Sequence, residues 1–218
     1  SSAVLLVGEN YYYRDDFNDA LALIRAGGIG QIFLIVYEAT AEIDHTRSYG
    51  ATVWRQKPAY RGGFVSDAGV HHAAVLRTFG GEVRTVQAVA KNVHPLIHAE
   101  DNLVASLEFV SGAIGQYFAT YTAKAPSHTA RLRIYGTAGS LDITFGELEY
   151  FNPQISAAAE TRRYPNFDNG FTNEWRAFYK AVRVGKAFPS TAAQCYADQV
   201  LVMAMLDSAS RHEAVHLQ

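Results

Sequence analysis

EVRTVQAVAKNVHPLIHAEDNLVASLEFVSGAIGQYFATYTAK, residues 82–124, packs three β-branched and aromatic runs into one stretch, separated by polar or Ser-Gly breaks. Apolar side chains recur at every second position at Leu103, Ala105, Leu107 and Phe109, the period of a strand with one buried face. The pattern continues through ARLRIYGTAG (130–139), with Leu132 and Ile134 in step, and SLDITFG (140–146), and the short run ELEYF (147–151) closes it. Short connections between such runs predict an antiparallel meander, one face covered and the other more polar or covered by a partner.

Towards the N-terminus, residues 3–8 are an apolar run predicted as a strand. A helix follows that places Phe17, Ala20, Leu21 and Ile24 on one face and stops at Gly27-Gly28. QIFLIVYEAT (31–40) is a further strand, and its nearly unbroken apolarity predicts cover on both sides. Residues 51–63, ATVWRQKPAYRGG, have no period and read as a shaped loop leading into GGFVSDAGVHH (62–72), where Ser66 or Asp67 is the expected helix cap. Two helices finish the chain: residues 171–186, with Trp175, Phe178 and Val182 on one stripe, and residues 191–212, expected to cover the sheet. AVHL (214–217) is a candidate edge strand. The fold class is therefore α+β, a large open, mostly antiparallel β-sheet with helices on one face. No repeat or linker divides the chain, so residues 1–218 are read as one domain.

Bulk properties narrow the function. Hydrophobic residues make up 49% and charged residues 18%, and 13 Tyr with 12 Phe supply much of the burial. Nineteen basic against 21 acidic side chains give a formal charge of -2 with neither sign in a block, so no nucleic acid partner is expected. No apolar run approaches the roughly 20 residues that cross a bilayer, and the apolar start has no basic flank, so the expected location is cytoplasmic, with no membrane. The single cysteine, Cys195, rules out an intrachain disulfide and a Cys-based zinc cluster. It reads as a small core residue, because Asp198 one turn away would raise the thiol pKa. Ser1 in place of Met, with an apolar run already open at residue 3, gives the expectation of a piece of a longer protein.

The candidate chemistry centres on Asp67 and His71. In a helix the two leave from one face, displaced by about 6 Å along the axis and turned by about 40°. A carboxylate beside the imidazole would raise its pKa, suiting a histidine that exchanges a proton with a hydroxyl group near neutral pH. The same spacing also fits a plain helix cap followed by an ordinary histidine. A metal site would need another ligand, and neighbouring His72 diverges by about 100°, so no metal is expected. His72 either lines the pocket wall or is packed. Trp54, Arg55 and Tyr60 form either an aromatic and cationic rim over a polar substrate or a loop anchored by its tryptophan. His94 and His98 flank Pro95, which argues against a helical metal pair. The turn Gly136-Thr137-Ala138-Gly139 lacks the G-x-G-x-x-G order and the following helix of a pyrophosphate cradle.

Five segments, in order, resemble the C-terminal domain of the Gfo/Idh/MocA oxidoreductases, the family of glucose-fructose oxidoreductase and inositol dehydrogenase. They are VLLVGENYYYRDDF (4–17), IRAGGIGQI (24–32), WR (54–55) followed by GGFVSDAGVHH (62–72), RIYGTAGSL (133–141) and the two closing helices. The resemblance implies the open-sheet fold of glyceraldehyde-3-phosphate dehydrogenase-like C-terminal domains, pairing through that sheet into a homodimer or tetramer. It also implies that Asp67 orients a small-molecule substrate, that His71 exchanges its hydroxyl proton, and that Asn10 lies near the same site. In the family a lysine from a Glu-Lys-Pro motif on the Rossmann domain completes the site, and hydride passes to or from nicotinamide C4. NAD or NADP is therefore implied for a full-length enzyme acting on a sugar, polyol or related compound. None is expected to bind this chain alone, because the 218 residues hold no Rossmann fingerprint and Gln56-Lys57-Pro58 sits in the wrong domain. Phe64 stands where members often have a third glycine, and Ala74 where many have Asp. Two alternatives remain open: a free-standing, cofactor-independent acid-base enzyme of isomerase or lyase type, and a non-catalytic assembly module on the same fold.

Overall fold

A computed structural model describes residues 3–44, 46–125 and 129–217. In chain order the elements are α1 (Asp15–Arg25), β1 (Ile32–Thr40), the single turn α2 (Val53–Gln56), α3 (Gly63–Gly80), β2 (Val83–Lys91), β3 (Asn102–Phe109), β4 (Ile114–Thr120), β5 (Thr129–Gly136), β6 (Ser140–Thr144), β7 (Glu147–Phe151), β8 (Glu160–Arg163), α4 (Phe171–Val184), α5 (Ala192–Arg211) and β9 (Val215–His216). A 3-10 turn, Asn10–Tyr13, precedes α1.

The strands form one nine-stranded sheet in the order β8-β7-β6-β5-β1-β4-β3-β2-β9. It is antiparallel except where β1 lies parallel to β4, with Tyr37 opposite Tyr117. The expected meander is thus two antiparallel stretches with β1 between them, bonded on its other edge to β5 in antiparallel register. The helices cover one face: α5 lies on β2, α3 across β1, β3 and β4, and α1 against β6 and β7. The alternating positions Leu103, Ala105, Leu107 and Phe109 are buried beneath them, joined by Ile35, Leu132, Ile134, Leu141 and Ile143. Burial of that side is what the alternation encodes.

Three expectations are corrected, and the direction of one helix stripe, which the sequence left open, is settled. Residues 3–8 form no strand; in this segment Val7 N–H donates to the Ser190 carbonyl at 3.2 Å, and Leu5 is 70% exposed. Apolarity alone does not make a strand without a free edge to join. β1 is covered on one face only, its other face (Leu34, Val36, Glu38) being half-buried, next to exposed Ile114 and Val104. β7 does not end the sheet, because the polar run ETRR pairs with it as β8. The stripe on α4 faces outward, with Trp175 69% and Val182 54% exposed, while the helix buries Glu174 and Ala181.

Candidate active site

α3 starts four residues before Asp67. Its N-cap is Gly62, at φ 89°, and Gly63 follows at φ 45°, backbone that side chains with a Cβ rarely adopt. A Cβ on Gly62 would lie 2.5 Å from Leu206 Cδ1 and one on Gly63 2.8 Å from Ala99 Cβ, so the glycine pair also lets the helix start wedge between α5 and the loop before β3. The expectation that Ser66 or Asp67 caps this helix therefore fails: both lie in its second turn, and Asp67 is free for another partner.

That partner is Arg55. Its Nε–H donates to Asp67 Oδ2 at 2.8 Å and its Nη1 to Thr52 Oγ1 at 3.3 Å. The guanidinium lies 3.8 Å from the Trp54 ring centroid and 4.7 Å from that of Tyr49, and Trp54 stands 6.0 Å from Tyr60. The two readings of this loop merge: Arg55 is a packed anchor, its side chain 11% exposed, while Trp54 and Tyr60 stay 43% exposed at the rim. Arg55 holds Asp67 by a charge-assisted bond that fixes the carboxylate without sealing it, since the Asp67 side chain remains 29% exposed.

One turn along, His71 meets Glu9. Both Glu9 oxygens lie 2.8 Å from His71 Nδ1, and because a carboxylate only accepts, Nδ1 is the protonated nitrogen. His71 Nε2 has no hydrogen-bond partner among the described residues, and the side chain is 33% exposed. Tyr11 stacks on the imidazole with centroids 5.2 Å apart. Burial by itself would lower the His71 pKa, but the bond and charge of Glu9, then the charges of Asp67 and Glu174, outweigh it, and the pKa is raised above 6.5. The carboxylate chiefly responsible is Glu9, not the Asp67 of the helical pair.

Glu9 is 3% exposed, held at the end of the apolar segment by a bond from Tyr11 N–H to Oε1. The clamp on this segment is Arg14, 2% exposed, whose Nε and Nη2 bond Asp16 at 3.0 and 2.7 Å inside a cage of Tyr11, Phe17, Phe145 and Phe167 rings. Asn10, next to Glu9, is buried, and its Nδ2 donates to the Asn169 carbonyl at 2.7 Å, tying the turn to the approach to α4. His72 is packed rather than lining a wall: it is 6% exposed, Nδ1 bonds the Tyr117 hydroxyl at 2.8 Å, and burial together with the charge of His71 lowers its pKa to about 3. It presents no surface for a substrate. The structure thus leaves Asp67 and His71 partly exposed one turn apart, links Asp67 through Arg55 to Trp54 and Tyr60, and buries Asn10 and His72.

Sequence reasoning missed Glu9, Arg14, Tyr11 and Glu174. The sequence signal for the first three was the polar end of an apolar run, Glu9-Asn10, read only as a strand terminus. Cys195 is half-buried rather than a core residue, while burial and then Asp198 push its thiol up to about 12, the direction expected. Among the described residues no three of His, Cys, Asp and Glu are grouped to hold a metal ion. The Gly136–Gly139 turn does not fit a dinucleotide: its amides at 136, 137 and 138 already donate to the Gly139, Gln31 and Ile29 carbonyls, and it joins two antiparallel strands.

Residues 17–142 match the family profile described as the GFO/IDH/MocA C-terminal domain. Among solved structures, an oxidoreductase from Thermotoga maritima is 31% identical, with a TM-score of 0.86 over 99% of this chain and 63% of its own. A levoglucosan dehydrogenase in complex with NADH and L-sorbose shares the fold, with a TM-score of 0.86 at 21% identity over 97% of this chain and 65% of its own. Among curated proteins, D-apiose dehydrogenase of Rhizobium rhizogenes is 26% identical over 68% of this chain and 43% of its own length. The chain spans less than two thirds of each of these relatives.

Proposed function

Because the chain belongs to the GFO/IDH/MocA family of oxidoreductases through its C-terminal domain, we propose that it is the substrate-binding part of a dehydrogenase acting on a neutral sugar or polyol, with His71 as proton carrier. One observation carries this reading: Nδ1 of His71 is fixed on Glu9 while Nε2 stays open, one helical turn from an Arg55-held Asp67.

A substrate hydroxyl at Nε2 gives up its proton there during oxidation, and the resulting imidazolium is stabilised by the Glu9 charge without any movement of the ring. In reduction the same nitrogen returns the proton. Asp67 accepts a bond from a neighbouring hydroxyl and sets which carbon faces away from the helix. Arg55, already committed to Asp67 and Thr52, does not act as a free cation for an acidic substrate, and this favours neutral hydroxylated compounds. The Trp54 and Tyr60 rings offer an apolar surface to the carbon face of such a ring. The nicotinamide of NAD or NADP supplies hydride exchange in this family, and the Gly136–Gly139 turn, its amides already bonded, does not fit as its cradle. The half-exposed sheet face around Val36, Val104 and Ile114 is proposed to pair with a second copy.

The test follows the His71 ring nitrogens by NMR while the chain is titrated with L-sorbose and levoglucosan. Saturable perturbation of Nε2 at about 1 mM, weakened in Asp67→Asn, is expected. An unmoved His71 signal well beyond that concentration, in a folded chain, would overturn the site. In an enzyme carrying this chain, His71→Ala is expected to lower kcat by about 10²–10⁴-fold.

A further inference from the structure

We infer that the Glu174 carboxyl holds a proton at neutral pH, so that it adds no second negative charge beside His71. Glu174, in the first turns of α4, is 9% exposed, and its Oε1 is buried with no hydrogen-bond partner. An ionised carboxylate oxygen sealed from water without a donor is costly, and such an orphan calls for an explanation.

The packing supplies one. α4 begins against the turn that carries Glu9: a Cβ on Gly170 would lie 2.3 Å from the Asn10 carbonyl oxygen, and Asn173 Nδ2 donates to the Tyr13 carbonyl at 3.1 Å. The titratable groups whose charges act on Glu174 or feel it are Glu9 and Tyr13 on that segment, His71 on α3 and Cys195 on α5. The hydroxyl of Tyr13 is engaged with Ser190, and the Cys195 thiol is held un-ionised. His71, which can carry a positive charge, has spent Nδ1 on Glu9, and Arg14 is turned to Asp16. A proton on Glu174 removes the charge from a carboxyl whose Oε1 is sealed from water, and with it the repulsion by the Glu9 charge. Burial and then the charge of Glu9 push the Glu174 pKa up, and although the charge of His71 and the Glu9 backbone N–H pull it down, the net shift is upward, in keeping with this assignment.

Glu174 is thereby a positioning residue acting through Glu9. With two full charges beside it, His71 would stay an imidazolium and could not accept a substrate proton; with one, it can exchange. That use rests on the proposed function, whereas the proton on Glu174 does not.

The experiment is infrared spectroscopy of the 218-residue chain at pH 7, with ¹³C-labelled glutamate to separate Glu from Asp carboxyls. The wild type should show one isotope-sensitive carbonyl band of an un-ionised carboxyl. The band should vanish in Glu174→Gln. Absence of the band in the wild type, or its survival in Glu174→Gln, overturns the proposal. Should a variant fail to fold, ¹³C NMR titration of the wild type decides: one glutamate carboxyl carbon must keep its acid-form shift at pH 7. Failure of sugar binding would leave this band in place, so the two readings fail separately.

Discussion

Replacing Arg14 by Met should loosen the segment that carries Glu9 while keeping its volume filled. Arg14 and Asp16 are 2% and 0% exposed and bonded through the Nε–Nη2 edge of the guanidinium to both carboxylate oxygens. Removing one partner of a buried pair costs about 3–5 kcal/mol because the other charge is left behind. Asp16 keeps donors from Phe17 N–H at 2.9 Å and Gly146 N–H at 3.4 Å, which places the cost near the low end, about 3 kcal/mol. Contact of a methionine sulfur with the four rings offsets part of the lost cation–π attraction. At this chain length the melting temperature should fall by about 6–12 °C. Urea unfolding of the wild type, Arg14→Met, Asp16→Leu and the double variant forms the assay, and the double variant should be more stable than either single one. A cost below about 1 kcal/mol, or a double variant no better than Arg14→Met, would refute the clamp. His71 should register the loosening as well, its raised pKa moving back towards 6.5 in Arg14→Met, read by NMR titration.

The pH dependence of stability has a definite sign. Because the folded His71 pKa lies above its unfolded value, its contribution is full below about pH 6.5 and is lost as pH rises through the folded pKa. The unfolding midpoint should therefore drop across that window in the wild type, and the step should be missing in His71→Gln. Cys195, with its thiol raised to about 12, should react with iodoacetamide at pH 8 about a thousandfold more slowly than an ordinary exposed thiol until the chain is unfolded, as followed by mass spectrometry. Val104→Lys, on the half-exposed sheet face, should shift sedimentation towards monomer without lowering the melting temperature of the isolated chain; unchanged sedimentation of an oligomer would exclude that face.

Much of the architecture is written in alternation. Leu103 to Phe109 announce which side of the sheet is buried, because a strand shifted by one residue would expose all of them. Strand order is not written there. The place of β1 depends on which edges residues 114–120 and 129–136 leave free, and no local pattern encodes that. ETRR has no apolar residue to mark it, yet it pairs because β7 offers an edge. The outward stripe of α4 shows the converse: Trp175 and Val182 define an apolar face without saying what covers it. At the site, the four-residue spacing of Asp67 and His71 was visible because a helix converts spacing into proximity. Glu9 lies 62 positions before His71 and Glu174 beyond it on another helix, so only the folded chain joins them. The cap was misread because a polar residue is the usual opening of a helix, and here a glycine pair serves a close approach instead.

The insertion of β1 between β4 and β5 carries a consequence for synthesis. Residues 32–40 are made well before both of their neighbours, residues 114–120 and 129–136. At the usual pace of about 5–20 residues per second, this apolar ribbon waits several seconds with both edges unbonded. Its pairings span long loops and so are slow to close. The nascent chain thus has a built-in interval in which holdase chaperones should engage it, ending when β5 arrives.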